Sequence, residues 1–130
     1  MPNIYLIFSH KLTSEQEKDL RQNWQVEKFI ALPEHLQELW SSIPPDLPEL
    51  NCYLEPIKHW LKENARSGDL VLIQGDFGAV YIVVNYAFEL RLIPVYATTE
   101  RLIKKEVSSK KGEVALSRIF RHKIFRVYGR

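Results

Sequence analysis

The amino-acid sequence predicts an α/β protein: a doubly wound, mainly parallel sheet with an antiparallel β-hairpin at its C-terminal end. Three observations carry that expectation. Between residues 3 and 97, short runs of β-formers alternate with segments of helical apolar spacing, the pattern of parallel strands joined by crossover helices. One of those helical segments is apolar on nearly every side, as a helix buried against a sheet would be. Past residue 100, two alternating segments flank a Ser-Lys-Gly turn, which reads as a hairpin. With 130 residues, 45% apolar and 12% aromatic, the chain suits one domain with a sizeable core. Within the single domain 1–130, residues 1–98 are expected to form the α/β core and 99–130 a basic hairpin extension.

The elements follow in order. Asn3 to Phe8 is a short β-forming run and reads as a buried strand. Thr13-Ser14-Glu15-Gln16 offers a cap and an acidic first turn for a helix through Leu20 to about Trp24. Val26 to Leu32 reads as a second strand, and Pro33 starts a helix whose apolar face is Leu36, Leu39 and Trp40. Ile43 to Pro48 interrupts the pattern, and a helix from about Cys52 to Ala65 ends near Ser67-Gly68. Asp69 to Ile73 is the clearest strand. It runs through Gln74-Gly75-Asp76-Phe77-Gly78 into the apolar helix Ala79 to Leu90. Ile93 to Ala97 is the next strand, with Pro94 near its start, and Arg101–Val107 and Ala115–Tyr128 flank the turn Ser108–Glu113.

Composition narrows the function classes. The longest apolar run, Ala79 to Val84, is far shorter than the ~20 residues of a membrane span, and the N-terminal run lacks the basic flank of a signal peptide. The single cysteine, Cys52, excludes an internal disulfide and a CxxC metal knuckle. A soluble, cytoplasmic protein is expected. The net charge of +2 conceals an asymmetry: residues 1–100 hold 8 Lys/Arg against 14 Asp/Glu, and residues 101–130 hold 10 against 2. A basic segment on a mildly acidic body suggests a polyanionic partner, although a solvated hairpin would carry the same charge.

In a doubly wound sheet, ligands bind beyond the carboxyl ends of the strands at the point where strand order reverses. Three segments qualify: Ser9-His10-Lys11, Gln74 to Gly78, and Thr98-Thr99-Glu100-Arg101. The Gln74–Gly78 segment presents a helix N-terminus that suits phosphate, without the Walker A or GxGxxG fingerprints; equally, Asp76 can be a cap and Gly78 a packing glycine. Thr98, Thr99 and Arg101 are phosphate-type partners, or the end of a strand with an Arg–Glu pair. His10 can serve as general acid or base near neutrality, with no carboxylate at triad spacing, or it can simply cap a loop with Ser9. His122 alternates with Phe120, Ile124 and Arg126 and reads as half-buried and structural, while His35 and His59 read as exposed. No two His or Cys stand at ligand spacing, so no structural zinc is expected. Trp24, Trp40 and Trp60 fall at core positions, and Phe77 in the cleft can stack on a base.

Several blocks together carry a family resemblance: Phe8-Ser9-His10-Lys11-Leu12-Thr13; Leu32-Pro33, Leu36, Trp40 and Ile43-Pro44; Gln74 to Ala79; Val95 to Arg101; and Phe120-Arg121-His122 with Phe125 to Tyr128. In that order they resemble a small stand-alone CRISPR-associated family of the Csx group, of ring nuclease type, similar to the Rossmann-like CARF domains. The resemblance implies work in type III CRISPR immunity, opening the second messenger cyclic tetra-adenylate by metal-independent attack of its own ribose 2′-OH. Within that reading, His10 is the candidate general acid or base, with Ser9 holding the 2′-OH or a phosphate. The implied ligand contacts are Lys11, Gln74, Gly75, Asp76, Phe77, Gly78, Thr98, Thr99, Arg101, His122 and Arg126. No metal or other cofactor, no DNA and no membrane is expected; the partners are a cyclic oligoadenylate and a second copy in a homodimer. Two readings stand beside it: a non-catalytic sensor of the same ring, and a small RNA-binding module using the basic hairpin.

Overall fold

The computed structural model describes residues 1–107 and 114–130, apart from the side chains of 104–107 and 114–118; the expected turn Ser108–Glu113 lies outside the described residues. The chain runs β1 (Ile4–Ile7), α1 (Ser14–Asn23), β2 (Phe29–Ala31), α2 (Glu34–Ser41), α3 (Glu55–Asn64), β3 (Leu70–Ile73), α4 (Phe77–Glu89), β4 (Ile93–Val107) and β5 (Val114–Val127). The strands make one sheet in the order β2-β1-β3-β4-β5. β1 pairs in parallel with β2 and β3, β3 with β4, and only β5 is antiparallel. The expected α/β architecture with a C-terminal antiparallel hairpin is what the chain adopts.

Strand alternation sorts the core into two layers. Tyr5, Ile7, Val71 and Ile73 face α2, α3 and α4, packing with Leu36, Trp40, Ile57, Leu61, Ala79 and Val83. Ile4, Leu70, Leu72, Val95 and Phe125 face the other way and meet Leu20 of α1. Every residue of β3 is buried, as befits a central parallel strand covered on both faces. Buried Asp69 pins the amino end of this layer by accepting the N–H groups of Asn3 (3.1 Å) and Arg66 (3.0 Å).

Local signals explain most boundaries. Thr13 and Gln16 form a capping box: Thr13 Oγ1 accepts from the Gln16 N–H at 3.2 Å, and Gln16 Oε1 from the Thr13 N–H at 2.9 Å. β2 is shorter than Val26–Leu32 because Gln25 turns to φ 57° and Val26 N–H closes onto Leu20 O at 3.1 Å, so residues 24–26 finish α1. α3 begins at Glu55 rather than Cys52, since Pro56 lacks an N–H and fits the first turn. α4 packs against the sheet as its apolar sequence leads one to expect, with one side left open. Ala79, Val83, Val84 and Ala87 are buried, but Phe77, Tyr81 and Phe88 form a stripe open to solvent, with Phe77 94% and Tyr81 72% exposed.

The segment Thr98–Arg101 is not a loop at a strand end. β4 continues through it to Val107, and the register shifts between Ala97 and Thr99. Phe125 pairs with Ala97 and His122 with Thr99, so Lys123 and Ile124 together oppose Thr98. The bulge turns both His122 and Phe125 inward, which strict alternation does not allow, and leaves Ile124 exposed.

After β5, Tyr128 returns to the core and its hydroxyl donates to Ile73 O. Burial raises the Tyr128 phenol above its ordinary 10.0, with neighbouring Tyr96 adding to the effect. A phenol whose folded pKa lies above its unfolded one contributes stability below pH ~10 that is lost as pH rises through the folded value. Tyr128→Phe should therefore reduce the alkaline fall of stability, seen as a shallower drop in chemical-denaturation midpoint above pH 10. Asp69→Ala should lower unfolding free energy by about 1–3 kcal/mol, read from the same denaturation curves, because two N–H groups lose their acceptor.

Candidate functional site

β1 and β3 end side by side, with Ile7 opposite Ile73 and the Gln74 N–H donating to Ile7 O at 3.1 Å. After β1 the chain moves to β2 on one side; after β3 it moves to β4 on the other. This is the topological switch point, where neighbouring connections part and leave a crevice.

Its walls come from α2 and the first turn of α4. The Gln37 amide donates to Phe8 O at 2.8 Å and the Trp40 indole N–H to Gln74 O at 3.0 Å, so α2 holds both strand ends. Gly75 is required for that approach: a Cβ there would lie 2.9 Å from Trp40 Nε1 and 3.0–3.1 Å from its ring carbons. The Ser41 hydroxyl, at the end of α2, donates to Ser9 Oγ at 3.0 Å. Asp76 caps α4 by accepting the Ala79 N–H at 3.0 Å, leaving the first-turn N–H groups of Phe77 and Gly78 directed outward. The Phe77 ring stands exposed beside them. Gln74 is used structurally, since its Oε1 accepts the Ala97 N–H at 2.9 Å where β3 and β4 diverge. On the same face, Arg126 Nη1 donates to the Tyr96 hydroxyl at 3.0 Å. The Tyr96 ring packs at a tilt against Tyr128, with centroids 4.7 Å apart, and the Tyr128 hydroxyl reaches Ile73 O. That chain of contacts links the Arg126 guanidinium, through Tyr96 and Tyr128, to the end of β3.

The remaining anticipated residues lie elsewhere. His10 and Lys11, with Ser9, line a cavity of about 770 Å³ between the carboxyl ends of β1 and β2, α1 and the start of α2. Its floor is apolar (Leu6, Phe8, Leu12, Phe29) and Glu17, Glu34 and Glu38 stand around it. Among the described residues, no hydrogen bond to the His10 imidazole is found. Thr98 is engaged by the bulge: its Oγ1 accepts the Ile124 N–H and donates to Ile124 O, both at 3.1 Å. Thr99 and His122 line a smaller hollow of about 400 Å³ with the capping turn of α1. His122 is 7% exposed and meets Asp19 Oδ2 through Nε2 at 2.7 Å, tying β5 to α1. Arg101 lies over the Phe120 ring at 5.4 Å, further along the hairpin. The structure thus brings Ser9 and Gln74–Gly78 to the crevice, sets His10 and Lys11 in the adjoining cavity, and leaves Thr98, Thr99, Arg101, His122 and Arg126 on the β4–β5 hairpin. Sequence reasoning did not single out Ser41, Tyr96 or Tyr128, whose roles depend on contacts between distant segments. The buried Trp40 was legible only as core. Among the described residues, no group of three or more His, Cys, Asp or Glu is arranged to hold a metal ion.

The crevice wall is open to a direct test. Gly75→Ala should push the Trp40 indole off Gln74, costing about 1–3 kcal/mol of stability by the usual penalty of overpacking, with a shift in tryptophan emission.

Comparison with known proteins corrects the family reading. The family model that matches, over residues 2–126, is described as the uncharacterized protein MJ1673 family. The chain is 51% identical over 128 residues to the "Uncharacterized protein MJ1673" of Methanocaldococcus jannaschii, covering 98% of each chain. No solved structure matches. The blocks that suggested the Csx group are in large part the scaffold just described: Trp40 against Gly75, Asp76 as a cap, Thr98 in the bulge, Phe125 and Tyr128 in the core. Residues that build a fold do not by themselves assign a chain to one activity group, and on these matches the chain belongs to the MJ1673 family.

Proposed function

We propose that the protein binds a cyclic oligoadenylate across the switch-point crevice and opens the ring by attack of its own ribose 2′-OH. One observation carries this reading: the Ser9–Ser41 hydroxyl pair, the α4 N-terminus at Phe77 and Gly78, and the exposed Phe77 ring all lie at the end of the sheet where strand order reverses. Hydroxyls and helix N-terminal N–H groups are phosphate partners, and an exposed aromatic side chain is a stacking surface for a base. Arg126, held by the Tyr96 hydroxyl on the neighbouring strand pair, would supply a cation on the same face. A ligand carrying phosphates and bases in one compact frame suits that combination. The apolar cavity next door suits it less, because three glutamates stand around it.

The chemistry asks little of the protein beyond positioning. The 2′-oxygen attacks the adjacent phosphorus and loses its proton; the bond from phosphorus to the 5′-oxygen breaks, and that oxygen takes up a proton. The products end in 2′,3′-cyclic phosphate and 5′-hydroxyl. Ser9 and the α4 N–H groups would hold the phosphate oxygens, and His10, on the loop that carries Ser9, would move one of the two protons. A two-fold dimer would present the same crevice to each half of a four-nucleotide ring.

Purified protein incubated with cyclic tetra-adenylate in EDTA is expected to yield products with 2′,3′-cyclic phosphate ends. A ring methylated at every 2′-oxygen should bind and stay closed. His10→Ala should cut turnover about 10²-fold with binding retained, and Ser9→Ala should weaken binding. Binding of the native ring without cleavage would favour the sensor reading, and failure to bind would overturn both. A 2′-methylated ring that is cut would reject the nucleophile assigned here.

A further inference from the structure

The hairpin carries features that neither the core nor the crevice uses. From Glu100 to Val107, β4 extends past the bulge paired only with β5, a distance of about 25 Å at ~3.3 Å per residue. A two-stranded ribbon with no third layer is marginally stable in water. Among its described side chains, four are nonetheless apolar and exposed: Ile103 66%, Phe120 62%, with Leu102 and Ile119 also open to solvent. Register places Arg101, Ile103 and Phe120 on one face, the same side as His122 and therefore the side of α1. That face presents an aliphatic and an aromatic group beside a cation lying over the aromatic ring.

The body of the same chain carries the complementary surface. The 770 Å³ cavity has a floor of Leu6, Phe8, Leu12 and Phe29, with Glu17, Glu34 and Glu38 around it. It opens at the carboxyl ends of β1 and β2, the end of the sheet from which the hairpin also extends. The two surfaces match in apolar character and are opposite in charge, as are the segments that hold them: net −6 over residues 1–100, with 8 Lys/Arg and 14 Asp/Glu, and net +8 over residues 101–130, with 10 and 2. Phe120 borders the hollow against the capping turn of α1, yet it stays 62% exposed and Ile103 66% exposed; one copy leaves this face open, and the opposite charge of the cavity makes a second copy the occupant that fits.

We infer that the protein is a reciprocal homodimer in which the Arg101–Ile103–Phe120 face of each hairpin docks in the Glu17–Glu34–Glu38 cavity of the other copy. Two identical hairpin–cavity contacts related by a two-fold axis close the assembly, and each desolvates an apolar ribbon that one copy alone leaves in water. Opposite charge selects the partner and sets the approach, so association weakens with salt. The inference does not depend on what the crevice binds.

Sedimentation equilibrium on the full chain without ligand tests it. Wild type should dimerise, more weakly as salt rises. Ile103→Glu/Phe120→Glu should abolish the dimer while leaving the circular dichroism spectrum unchanged. Arg101→Glu alone, and Glu34→Lys/Glu38→Lys alone, should each weaken association about tenfold or more through like-charge contacts, and the chain carrying all three charge reversals should regain most of it. A monomer at every concentration, a dimer indifferent to both sets, or no recovery in the combined variant would each overturn the proposal.

Discussion

The contact between Trp40 and the backbone at Gln74–Gly75 is the constraint on which the crevice depends. The β3 ladder ends at Ile73, so Gln74 O has no strand partner, and the indole N–H supplies one. The indole reaches it because residue 75 has no side chain. Once α2 is fixed there, Ser41 stands against Ser9 and α4 begins at Asp76, whose carboxylate takes the Ala79 N–H. The Gln74 side chain then bridges to Ala97 and holds β4 beside β3 as the strands separate. One buried aromatic ring thereby positions two hydroxyls and a helix N-terminus. What remains for a ligand is what this framework leaves unused: the Ser9 and Ser41 oxygens, the Phe77 and Gly78 N–H groups, and the Phe77 ring.

Signals confined to a few neighbouring residues were legible in the sequence. The capping box at Thr13–Gln16, the Pro33 helix start, the β3 run and the Asp76 cap are each built within a turn of chain, and each appears where the sequence places it. Features set by register or by distant contacts were not. Nothing near Thr98 announces that its hydroxyl will hold the Ile124 backbone, because the bulge arises from the pairing of segments 26 residues apart. The same shift sets the His122 side chain against Asp19, a burial that alternation alone does not supply. The open side of α4 was hidden for a different cause: Phe77, Tyr81 and Phe88 are as apolar as the buried side, and only Asn85 and Glu89 mark it as polar. The crevice itself was half legible. Ser9 and the Gln74–Gly78 turn follow strands that the pattern reveals, whereas Ser41 and Tyr96 are surface-type residues in sequence and acquire a place only through the fold.

Charge divides the carboxyl end of the sheet into two kinds of surface. At the crevice, Asp76 is the nearby carboxylate, and its position as an N-cap turns its charge toward the helix start. One loop away, the cavity gathers three glutamates over an apolar floor. A polyanion and a cationic, apolar ribbon would therefore sort themselves between the two without steric discrimination. Ser9 lies on the boundary, since it lines the cavity and meets Ser41 in the crevice. A ribbon seated in the cavity would press on the loop that carries Ser9 and His10. Assembly and ligand binding in such a molecule share a structural element, and the loop's conformation would respond to both.

That sharing gives the exposed hairpin a physical rationale that a solvated appendage lacks. An isolated ribbon bearing a large excess of positive charge repels itself and gains little from its exposed Leu102, Ile103, Ile119 and Phe120. Set against the acidic body of another copy, Ile103 and Phe120 lose their unfavourable exposure and the charge excess meets its opposite. The anchor at the other end is already rigid. His122 is clamped to Asp19, Thr98 closes the bulge, and Tyr128 ties the end of β5 to β3, so the ribbon leaves the body in a fixed direction. A direction fixed before association lowers the conformational entropy lost on docking, which is how a short apolar face with one cation can hold two copies together.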